Sequence, residues 1–249
     1  MSSFENHFSG QAADYARYRP DYPAALFEFL AGLAPQRQRA WDCATGNGQA
    51  ALGLASHFEA VVATDASIRQ IRQAARRGGV RYAVASAEEP PLETESIALV
   101  TVAQAVHWFD RARFWEEARR VLVPAGAIAV WAYHGFHVTP EVEAVIHRFY
   151  KDIVGPYWPL GRGVVEQGYR ALDFPFAEEA PPPFILERRW DLAALMGYLR
   201  TWSASQRYRE AKGSDPLLLV REDLAEAWGP PGKIRPFRWD LDLRVGRKV

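Results

Sequence analysis

Short apolar runs alternate with amphipathic helical patterns between residues 40 and 133, and this alternation constrains the fold more than any other feature. The connections between the segments are short. Repetition of this kind is typical of βαβ units that build a parallel sheet. The sequence therefore predicts an α/β fold, with strands over residues 40–44, 60–64, 80–85, 97–103 and 127–133.

Capping residues mark where several helices begin. Ser67, Asp110 and Asp191 each precede an apolar stripe at helical spacing, so we expect them to be N-caps. The patterns predict helices over residues 49–58, 67–79, 110–124, 140–154 and 191–206. After residue 134 the alternation weakens, and two further strands are predicted over 184–190 and 237–245.

Two glycines, Gly46 and Gly48, follow the first predicted strand and precede residues that can open a helix. Glycine lets the backbone approach a ligand closely, and N–H groups at a helix start favour polar or anionic ligand groups. Asp65 follows the second strand, nineteen residues after Gly46. A carboxylate at that place suits the two hydroxyls of a cofactor ribose. The spacing therefore predicts a site for a cofactor that contains a ribose.

Composition excludes several classes of site. The 249 residues include 30 basic and 30 acidic side chains and no Lys/Arg-rich tract, so we expect no nucleic-acid partner. Cys43 is the single cysteine, which excludes an intramolecular disulfide framework and a cysteine-based zinc site. The six histidines lack the spacing of a metal site, so no metal ion is expected.

The N-terminal residues and the apolar runs bear on location. Residues 1–7 lack the charged and apolar regions of a signal peptide. The longest apolar run, over residues 97–106, is about half of what a membrane span needs. We therefore expect a soluble cytoplasmic protein with no membrane partner. The sequence does not predict an oligomeric state.

A glycine turn followed by a distant acid occurs with two cofactor classes. Gly46-x-Gly48-x-x-Ala51 satisfies the dinucleotide fingerprint with alanine in third place, which would make the chain a nicotinamide-dependent oxidoreductase. S-adenosylmethionine is the other cofactor. A protein that binds it either transfers the methyl group or holds the cofactor in a regulatory role. The glycines and Asp65 alone leave these alternatives open.

Further motifs narrow the choice. They are Tyr15-x-x-x-Arg19-Pro20-x-Tyr22-Pro23, Ser86-Ala87-Glu88, Gln104-Ala105-Val106-His107-Trp108-Phe109, Leu122-Val123-Pro124-Ala125-Gly126 and Thr201-Trp202-Ser203-Ala204-Ser205-Gln206-Arg207-Tyr208. Through them the chain resembles the class I S-adenosylmethionine-dependent methyltransferases of type 11, specifically the branch that includes trans-aconitate methyltransferase-like proteins. The resemblance covers nearly the entire chain, and its His-Trp and Thr-Trp-Ser-Ala stretches are more specific than the glycines.

The resemblance implies a fold and a domain organisation. The fold is a Rossmann-like sheet of seven strands in the order 3-2-1-4-5-7-6, with the last strand antiparallel, helices on both faces and a helical cap insertion. An N-terminal arm with lid helices would cover residues 1–36, and the cofactor-binding core residues 37–133. A substrate-capping insertion with the strand 184–190 would cover residues 134–232. Residues 233–249 would hold the strand that completes the core sheet.

The same resemblance implies which residues hold S-adenosylmethionine and its product S-adenosylhomocysteine. Arm residues would reach the methionine carboxylate, the glycine turn would line the methionine part, and the ends of the second, third and fourth strands would meet the ribose, the adenine and the sulfonium. In that order the residues are Tyr15 and Arg19; Ala44, Thr45, Gly46 and Asn47; Asp65 and Ala66; Ser86 and Ala87; Gln104 and Ala105.

Three residues depart from the family pattern. Ala44 replaces the first family glycine, and Ala125 replaces a glycine of a later turn. Ser86 stands where many members carry an aspartate, which weakens the expected contact to the adenine amino group. We expect Ala44 to narrow the turn slightly. Because the main ligand contacts there are to backbone, none of the three is expected to inactivate the protein.

Methyl transfer needs mainly an aligned nucleophile, and positioning can supply roughly 7–11 kcal/mol. A carboxylate acceptor, with a pKa of about 4, is ionised at neutral pH and needs no base. A hydroxyl, phenol or amine acceptor would be helped by a base, for which His107 is our choice. The alternative for His107 is a structural role, orienting Trp108 or bonding to a loop carbonyl.

Acceptor recognition is assigned to aromatic and hydrogen-bonding side chains near the strand ends and in the cap. Trp202 and Gln206 are four residues apart and would share a helix face. An arginine such as Arg19 or Arg207 suits a carboxylate through its fork geometry. The predicted acceptor-binding residues are Trp108, Tyr133, Trp202, Gln206 and Arg207. Together these features predict a methyltransferase that acts on a small molecule. The acceptor group that we favour is a carboxylate, which would be methylated on oxygen.

Overall fold

The strands of the chain form two sheets. The computed structural model describes residues 18–249, and over this range seven strands build one sheet in the order β3-β2-β1-β4-β5-β9-β6, while β7 pairs with β8. The strands are β1 Arg39–Cys43, β2 Ala60–Asp65, β3 Val80–Val84, β4 Ile97–Ala103, β5 Leu122–Ala132, β6 Ala177–Glu179, β7 Ile185–Trp190, β8 Arg235–Asp240 and β9 Asp242–Arg247.

Strand direction in the large sheet is mixed. Strands β1 to β5 pair in parallel with their neighbours, and β9 lies antiparallel between β5 and β6. Within this sheet β9 is the seventh strand along the chain and β6 the sixth. The predicted order 3-2-1-4-5-7-6 and its antiparallel last strand are therefore confirmed. Strand β4 is buried along nearly its whole length, as expected for a central parallel strand covered on both faces.

The helices begin where capping residues were predicted. The side chains of Ser67, Asp110 and Asp191 each accept a hydrogen bond from a backbone N–H in the first turn of the helix that follows. The helices are α1 Ala24–Leu33, α2 Gln49–Leu54, α3 Ile68–Gln73, α4 Arg111–Val121, α5 Pro140–Arg148, α6 Arg162–Glu166, α7 Leu192–Arg200, α8 Ser203–Lys212 and α9 Arg221–Trp228. None of these helices combines the length and apolar character needed to cross a bilayer.

The chain divides into two compact units. The sheet unit comprises residues 21–134, 163–185 and 240–249, and it contains the seven-stranded sheet. The second unit, which we call the aromatic unit, comprises the described residues up to Pro20 together with 135–162 and 186–239. The four-part domain division implied by the family resemblance stays a prediction.

The core of the sheet unit joins β4 and β5 to α4 and to the segment 163–176. Phe114 and Trp115 of α4 pack against each other, and Trp115 meets Phe174 and Phe176 edge-on. All four rings are buried. These contacts hold a segment without long helices or strands against the sheet, because large aromatic side chains bury much apolar area.

The core of the aromatic unit is a cluster of rings around the β7–β8 pair. Trp190 of β7 contacts Phe237 and Trp239 of β8, and Tyr198 of α7 packs on Trp190 and Trp239. The four side chains are buried. Since β7 and β8 form only a two-stranded sheet, which is marginal alone, this ring cluster provides the packing that stabilises it.

The helix predicted over residues 191–206 was wrong, because two helices lie there. Helix α7 ends at Arg200, and Trp202 takes an extended conformation before α8 begins. The hydroxyl of Thr201 donates to the Tyr198 carbonyl at 2.7 Å, and the hydroxyl of Ser205 donates to the Leu199 carbonyl at 2.8 Å. These side-chain hydroxyls thus add to the backbone N–H groups that the two carbonyls accept where α7 ends.

The strand predicted over residues 237–245 was also wrong, because two strands occupy this stretch. Strand β8 pairs with β7, whereas β9 enters the large sheet, and the Leu241 N–H between them donates to the Phe184 carbonyl at 3.0 Å. The sequence also gave no sign of β6, which has only three residues. Its partner is β9, so its existence depends on a chain segment far away in sequence.

Several predicted boundaries need correction as well. Strand β5 begins at Leu122, not at residue 127, and α4 ends at Val121. The helices predicted over 49–58 and 67–79 end early, at Leu54 and Gln73. The helix predicted over 140–154 keeps α-helical bonds to Arg148 and then widens into a π-helical turn over Phe149–Ile153.

Ala125 provides a test of backbone strain. Its φ of +58° lies in the left-handed region that favours glycine. We expect Ala125→Gly to raise the free energy of unfolding by about 0.5–1 kcal/mol, because the relief of strain exceeds the added chain entropy. Denaturant titration measures the change. The matched control is Ala127→Gly, which removes a buried methyl group from β5 and should lower stability by about 1–2 kcal/mol.

Candidate active site

The turn after β1 is closed by its own backbone. The Gly48 N–H donates to the Thr45 carbonyl at 2.9 Å, and the Thr45 N–H donates to the Thr64 carbonyl at 2.9 Å. Ala44, Gly46 and Gly48 all have positive φ values, of +54°, +57° and +88°. The φ of Gly48 favours glycine, and a Cβ atom there would also lie 2.3 Å from the Tyr82 hydroxyl. Ala44 carries the left-handed backbone that the family glycine would adopt without strain.

A buried carboxylate, Asp42 on β1, supports this turn. The Thr45 hydroxyl donates to its Oδ2 at 2.5 Å, and the Thr101 hydroxyl donates to its Oδ1 at 2.8 Å. Asp42 is fully buried, and burial raises its pKa to about 6, although the two hydroxyls and the Ala51 backbone partly offset this. Asp42 was missed as a site residue, and the signal for it was a carboxylate inside an apolar strand.

Asp65 joins the end of β2 to the turn. Its Oδ2 accepts from the Gly46 N–H at 2.9 Å, and its Oδ1 accepts from the Ser67 N–H at 2.8 Å. Burial raises the pKa of this carboxyl, and the two backbone N–H groups act in the opposite direction. The glycine turn and the acid predicted to act with it are therefore in direct contact.

Ser86 and Ala87 follow the next strand. The Ala85 N–H donates to the Asp65 carbonyl at 3.1 Å, so the chain leaves β3 beside the end of β2. Ala87 is buried in the apolar core, and Ser86 is half-buried. These residues, predicted to meet the adenine, therefore lie at the same edge of the sheet as Asp65. Ala66, directly after Asp65, is exposed.

Gln104 ends β4 in a left-handed conformation, with φ at +58°. Its backbone N–H donates to the Trp131 carbonyl at 2.8 Å, and its side-chain amide donates to the Tyr133 carbonyl at 3.3 Å. Ala105 and Tyr133 are both buried. Gln104 therefore ties the ends of β4 and β5 together, at the edge where the predicted cofactor residues gather.

His107 lies in a short 3₁₀ turn after β4. Its Nδ1 is 3.0 Å from the hydroxyl oxygen of Tyr169, and its ring packs on Trp108 at 4.8 Å between centroids. Trp108 is one of the exposed large apolar side chains of the described chain. His107 thus has a defined side-chain partner, and that partner was not foreseen from the sequence.

The other predicted site residues belong to the aromatic unit. Arg19 donates to the Thr201 carbonyl at 3.4 Å, and its guanidinium carbon lies 5.3 Å from the centroid of the Tyr198 ring. Trp202 is buried, whereas Gln206 and Arg207 on α8 are half-buried. The Gln206 N–H donates to the Trp202 carbonyl at 3.1 Å. Trp202 precedes α8, so it does not share a helix face with Gln206 as predicted. Tyr15 lies outside the described residues.

A second group of rings in the aromatic unit includes Trp202. Tyr150 and Trp158 each lie 5.6 Å from the Trp202 ring, measured between centroids. The guanidinium carbon of Arg162 lies 4.3 Å from the centroid of Trp158 and 5.4 Å from that of Tyr150. Arg162 also donates to the Tyr150 hydroxyl at 2.7 Å. This arrangement places a cation on an aromatic surface, and neither Arg162 nor Tyr150 was predicted.

Within residues 18–249, no group of histidine, cysteine and carboxylate side chains could hold a metal ion. Cys43 is buried in β1, and burial raises the pKa of its thiol well above the usual value, so it is a small apolar side chain at neutral pH. The polar groups that gather at the strand ends are therefore carboxylates, hydroxyls, amides and one imidazole.

Comparison with known proteins identifies the class. The family described as "Methyltransferase domain" matches residues 41–130. A solved structure from Anaeromyxobacter dehalogenans, described as a candidate type II methyltransferase, is 46% identical with a TM-score of 0.86, over 93% of this chain and 99% of that one. A candidate methyltransferase of Dictyostelium discoideum is 29% identical over 231 residues, 91% of this chain and 88% of the relative.

A shorter match involves an uncharacterized methyltransferase of Mycobacterium bovis. It is 35% identical over 127 residues, which are 50% of this chain and 51% of the relative. The match thus spans about half the length of that protein. The chain belongs to the class I S-adenosylmethionine-dependent methyltransferases. S-adenosylmethionine is accordingly its cofactor, and the nicotinamide-dependent alternative is wrong.

The residues at the sheet edge fit this cofactor. An ionised carboxylate offers about four acceptor positions, and Asp65 uses two of them for Gly46 and Ser67, which leaves capacity for ribose hydroxyls. A Cβ atom built on Gly46 would meet nothing within 4 Å, so the turn is open on that side. Ala44 and Asn47 are half-buried. The individual contacts of the cofactor stay predictions.

The raised pKa of Asp42 makes stability depend on pH. The folded state binds a proton at Asp42 more tightly than the unfolded state does. The contribution of this proton to the free energy of unfolding is therefore complete below pH 4 and is lost as pH rises through about 6. We expect wild type to lose up to about 3 kcal/mol relative to Asp42→Asn between pH 4 and pH 7. Urea titrations of both proteins across this range give the difference. If the stability of wild type relative to Asp42→Asn stays constant or increases from pH 4 to pH 7, the raised pKa of Asp42 is contradicted.

Asp65 is expected to contribute to cofactor binding. Asp65→Asn keeps the side-chain shape but removes the charge that strengthens its bonds to hydroxyl and N–H donors. We expect the affinity for S-adenosylhomocysteine to fall by roughly 10- to 100-fold, measured by calorimetry. The matched control is Glu95→Gln, which neutralises an exposed acid paired with Lys248 and should leave the affinity unchanged. Equal affinities in wild type and Asp65→Asn would exclude the ribose role.

Proposed function

We propose that this methyltransferase acts on a small molecule that carries a carboxylate and produces its methyl ester. The observation that carries the proposal is the cationic, aromatic group formed by Arg162, Tyr150, Trp158 and Trp202. A guanidinium recognises a carboxylate through its planar fork, and flat rings suit the apolar part of a small acceptor. Arg207 on α8, predicted from the sequence, is a further guanidinium of the same unit.

Methylation of a carboxylate needs no general base from the protein. The cofactor supplies a methyl group activated on sulfur, and the carboxylate oxygen forms the new O–C bond while the C–S bond breaks with its electrons going to sulfur. A carboxylate with a pKa of about 4 has no proton to lose at neutral pH. The side chains then serve to bind and align, which is the contribution expected of Gln104, Tyr133, His107 and Trp108 at the strand ends.

One observation favours a second candidate, methylation of a hydroxyl or phenol. The 3.0 Å contact between Nδ1 of His107 and the Tyr169 hydroxyl gives the imidazole a fixed orientation. If Nδ1 carries the proton and donates it to Tyr169, the unprotonated Nε2 can serve as a general base that removes a hydroxyl proton. The two candidates differ in whether the reaction needs that base.

A panel of acceptors tests the proposal. Purified protein is incubated with S-adenosylmethionine and, in turn, small di- and tricarboxylic acids that include trans-aconitate, simple phenols and simple amines. We expect S-adenosylhomocysteine to form with carboxylic acids, together with an alkali-labile product heavier by one methylene group. The rate should stay nearly constant from pH 6 to pH 8, because the acceptor is already ionised.

Variants locate the acceptor carboxylate. Arg162→Lys keeps the charge but not the fork, and we expect kcat/KM for the carboxylate to fall by roughly 10-fold or more with S-adenosylhomocysteine affinity unchanged. Arg221→Lys, a change of an exposed arginine on α9, is the matched control. Turnover confined to phenols, with a rate that rises through the imidazole range and flattens in His107→Ala, would establish the second candidate instead.

A further inference from the structure

Tyr169 is a buried side chain in an unusual backbone conformation. Its residue is fully buried, and its φ of +60° lies in the left-handed region. Gly168 has the same φ, and a Cβ atom there would lie 2.5 Å from the Asp242 carboxylate. A non-glycine residue in this region costs of order 1 kcal/mol or more and persists only when its surroundings impose it. The conformation therefore indicates a constrained position.

The constraint on Tyr169 comes from β9. Arg244 donates from Nη1 to the Tyr169 carbonyl at 3.0 Å and to the Leu172 carbonyl at 2.8 Å. The same guanidinium makes two 2.7 Å bonds to Glu178, and these hold the pKa of that carboxyl below its usual range. A guanidinium fixed at both carbonyls and a carboxylate is a rigid anchor. The backbone of Tyr169 is thus held by Arg244, independently of the contact between its hydroxyl and His107.

The hydroxyl of this anchored tyrosine meets His107 at Nδ1, 3.0 Å away. Either group can donate in principle, because a neutral imidazole has one N–H and one lone pair. A phenol, with a pKa near 10, is a ready donor, and the unprotonated nitrogen of an imidazole is a strong acceptor. The bond O–H···N is therefore favoured over N–H···O.

We infer that Tyr169 donates its hydroxyl proton to Nδ1 of His107 and thereby holds the imidazole as the Nε2–H tautomer. In this form His107 presents a hydrogen-bond donor to the acceptor instead of a base. A donor suits one oxygen of a carboxylate while the other oxygen forms the bond to the methyl carbon. This use of the donor rests on the proposed function, whereas the tautomer itself does not. Tyr169 is a positioning residue, since it acts through His107.

Nitrogen NMR measures the tautomer directly and needs no acceptor. Protein labelled with ¹⁵N-histidine is studied at pH 8, where an imidazole of ordinary pKa near 6.5 is neutral. The six histidines are sorted by comparison with His107→Gln, which removes one pair of signals. We expect the His107 signals to show a protonated Nε2 and an unprotonated Nδ1. A protonated Nδ1 in the wild-type protein overturns the inference.

Tyr169→Phe tests the cause of the tautomer. This variant keeps the ring but removes the donor, so the Nδ1 signal should shift towards that of a mixture of tautomers. Tyr82→Phe is the matched control, because it removes a hydroxyl bonded to the Ala75 carbonyl on the edge strand β3. It should leave the His107 signals unchanged. An unchanged His107 spectrum in Tyr169→Phe, with the S-adenosylhomocysteine-induced rise in Tm retained as a check of folding, also overturns the inference.

Kinetics add a functional readout, with trans-aconitate as the probe. We expect Tyr169→Phe to lower kcat/KM by roughly 10-fold in the wild-type background and to have no further effect in His107→Ala, because the two residues act as one unit. Independent losses in the double variant contradict positioning through His107. The acceptor panel and the NMR measurement test different claims. If no carboxylate is methylated, the proposed function is contradicted, but the NMR result on the His107 tautomer is unaffected.

Discussion

Two buried carboxylates hold the turn after β1, where the cofactor is predicted to bind. Asp65 accepts a hydrogen bond from the Gly46 N–H, and Asp42 accepts one from the Thr45 hydroxyl. Asp65 joins the turn after β1 to the end of β2 and the start of α3. Asp42 joins the turn to β4 through the hydroxyls of Thr45 and Thr101. Two carboxylates removed from water must find donors within the protein. The turn supplies one donor to each, so its shape follows from satisfying both.

The loop after β4, which carries His107, depends on a different anchor. Arg244 belongs to β9, which pairs with β5 along its length. Through Arg244 this last strand holds the Gly168–Tyr169 turn, and through the Tyr169 hydroxyl it reaches His107 after β4. Neighbouring strands thus position His107 indirectly, although the residues concerned are 62 or more positions apart. The antiparallel strand both completes the sheet and supports the loop that carries His107.

The sequence predicts those features that local pattern determines. Alternating apolar runs indicated the strands of a parallel sheet, whereas the strand order came from the family resemblance. Single polar residues marked three helix starts, since an N-cap involves only its own first turn. The break between α7 and α8 escaped prediction because the apolar spacing continues through Trp202, and the hydroxyl bonds of Thr201 and Ser205 at the break leave no periodic signal. The separation of β8 from β9 escaped it because each strand is defined by its partner.

The same distinction applies to the candidate site. Asp65 could be placed from spacing alone, because the βαβ unit fixes where the second strand ends. The link that Asp42 makes between the turn and β4 could not, since its partner Thr101 is 59 residues away. Tyr169 lies in a segment without helical or strand periodicity, and nothing in the sequence indicates that its backbone is left-handed. Pairings across long separations appear only once the sheet is assembled.

Left-handed, non-glycine residues are informative about what the site is built to do. Among residues 18–249 they are Ala44, Glu95, Gln104, Ala125 and Tyr169. Ala44 and Gln104 end adjacent strands of the sheet, and Tyr169 holds the imidazole of the loop after Gln104. These three residues thus keep an unfavourable backbone conformation beside candidate site residues. Transfer of an already activated methyl group is a reaction in which orientation supplies most of what a protein can contribute. Fixed backbone after β1 and β4 therefore agrees with the methyl transfer that is typical of the family.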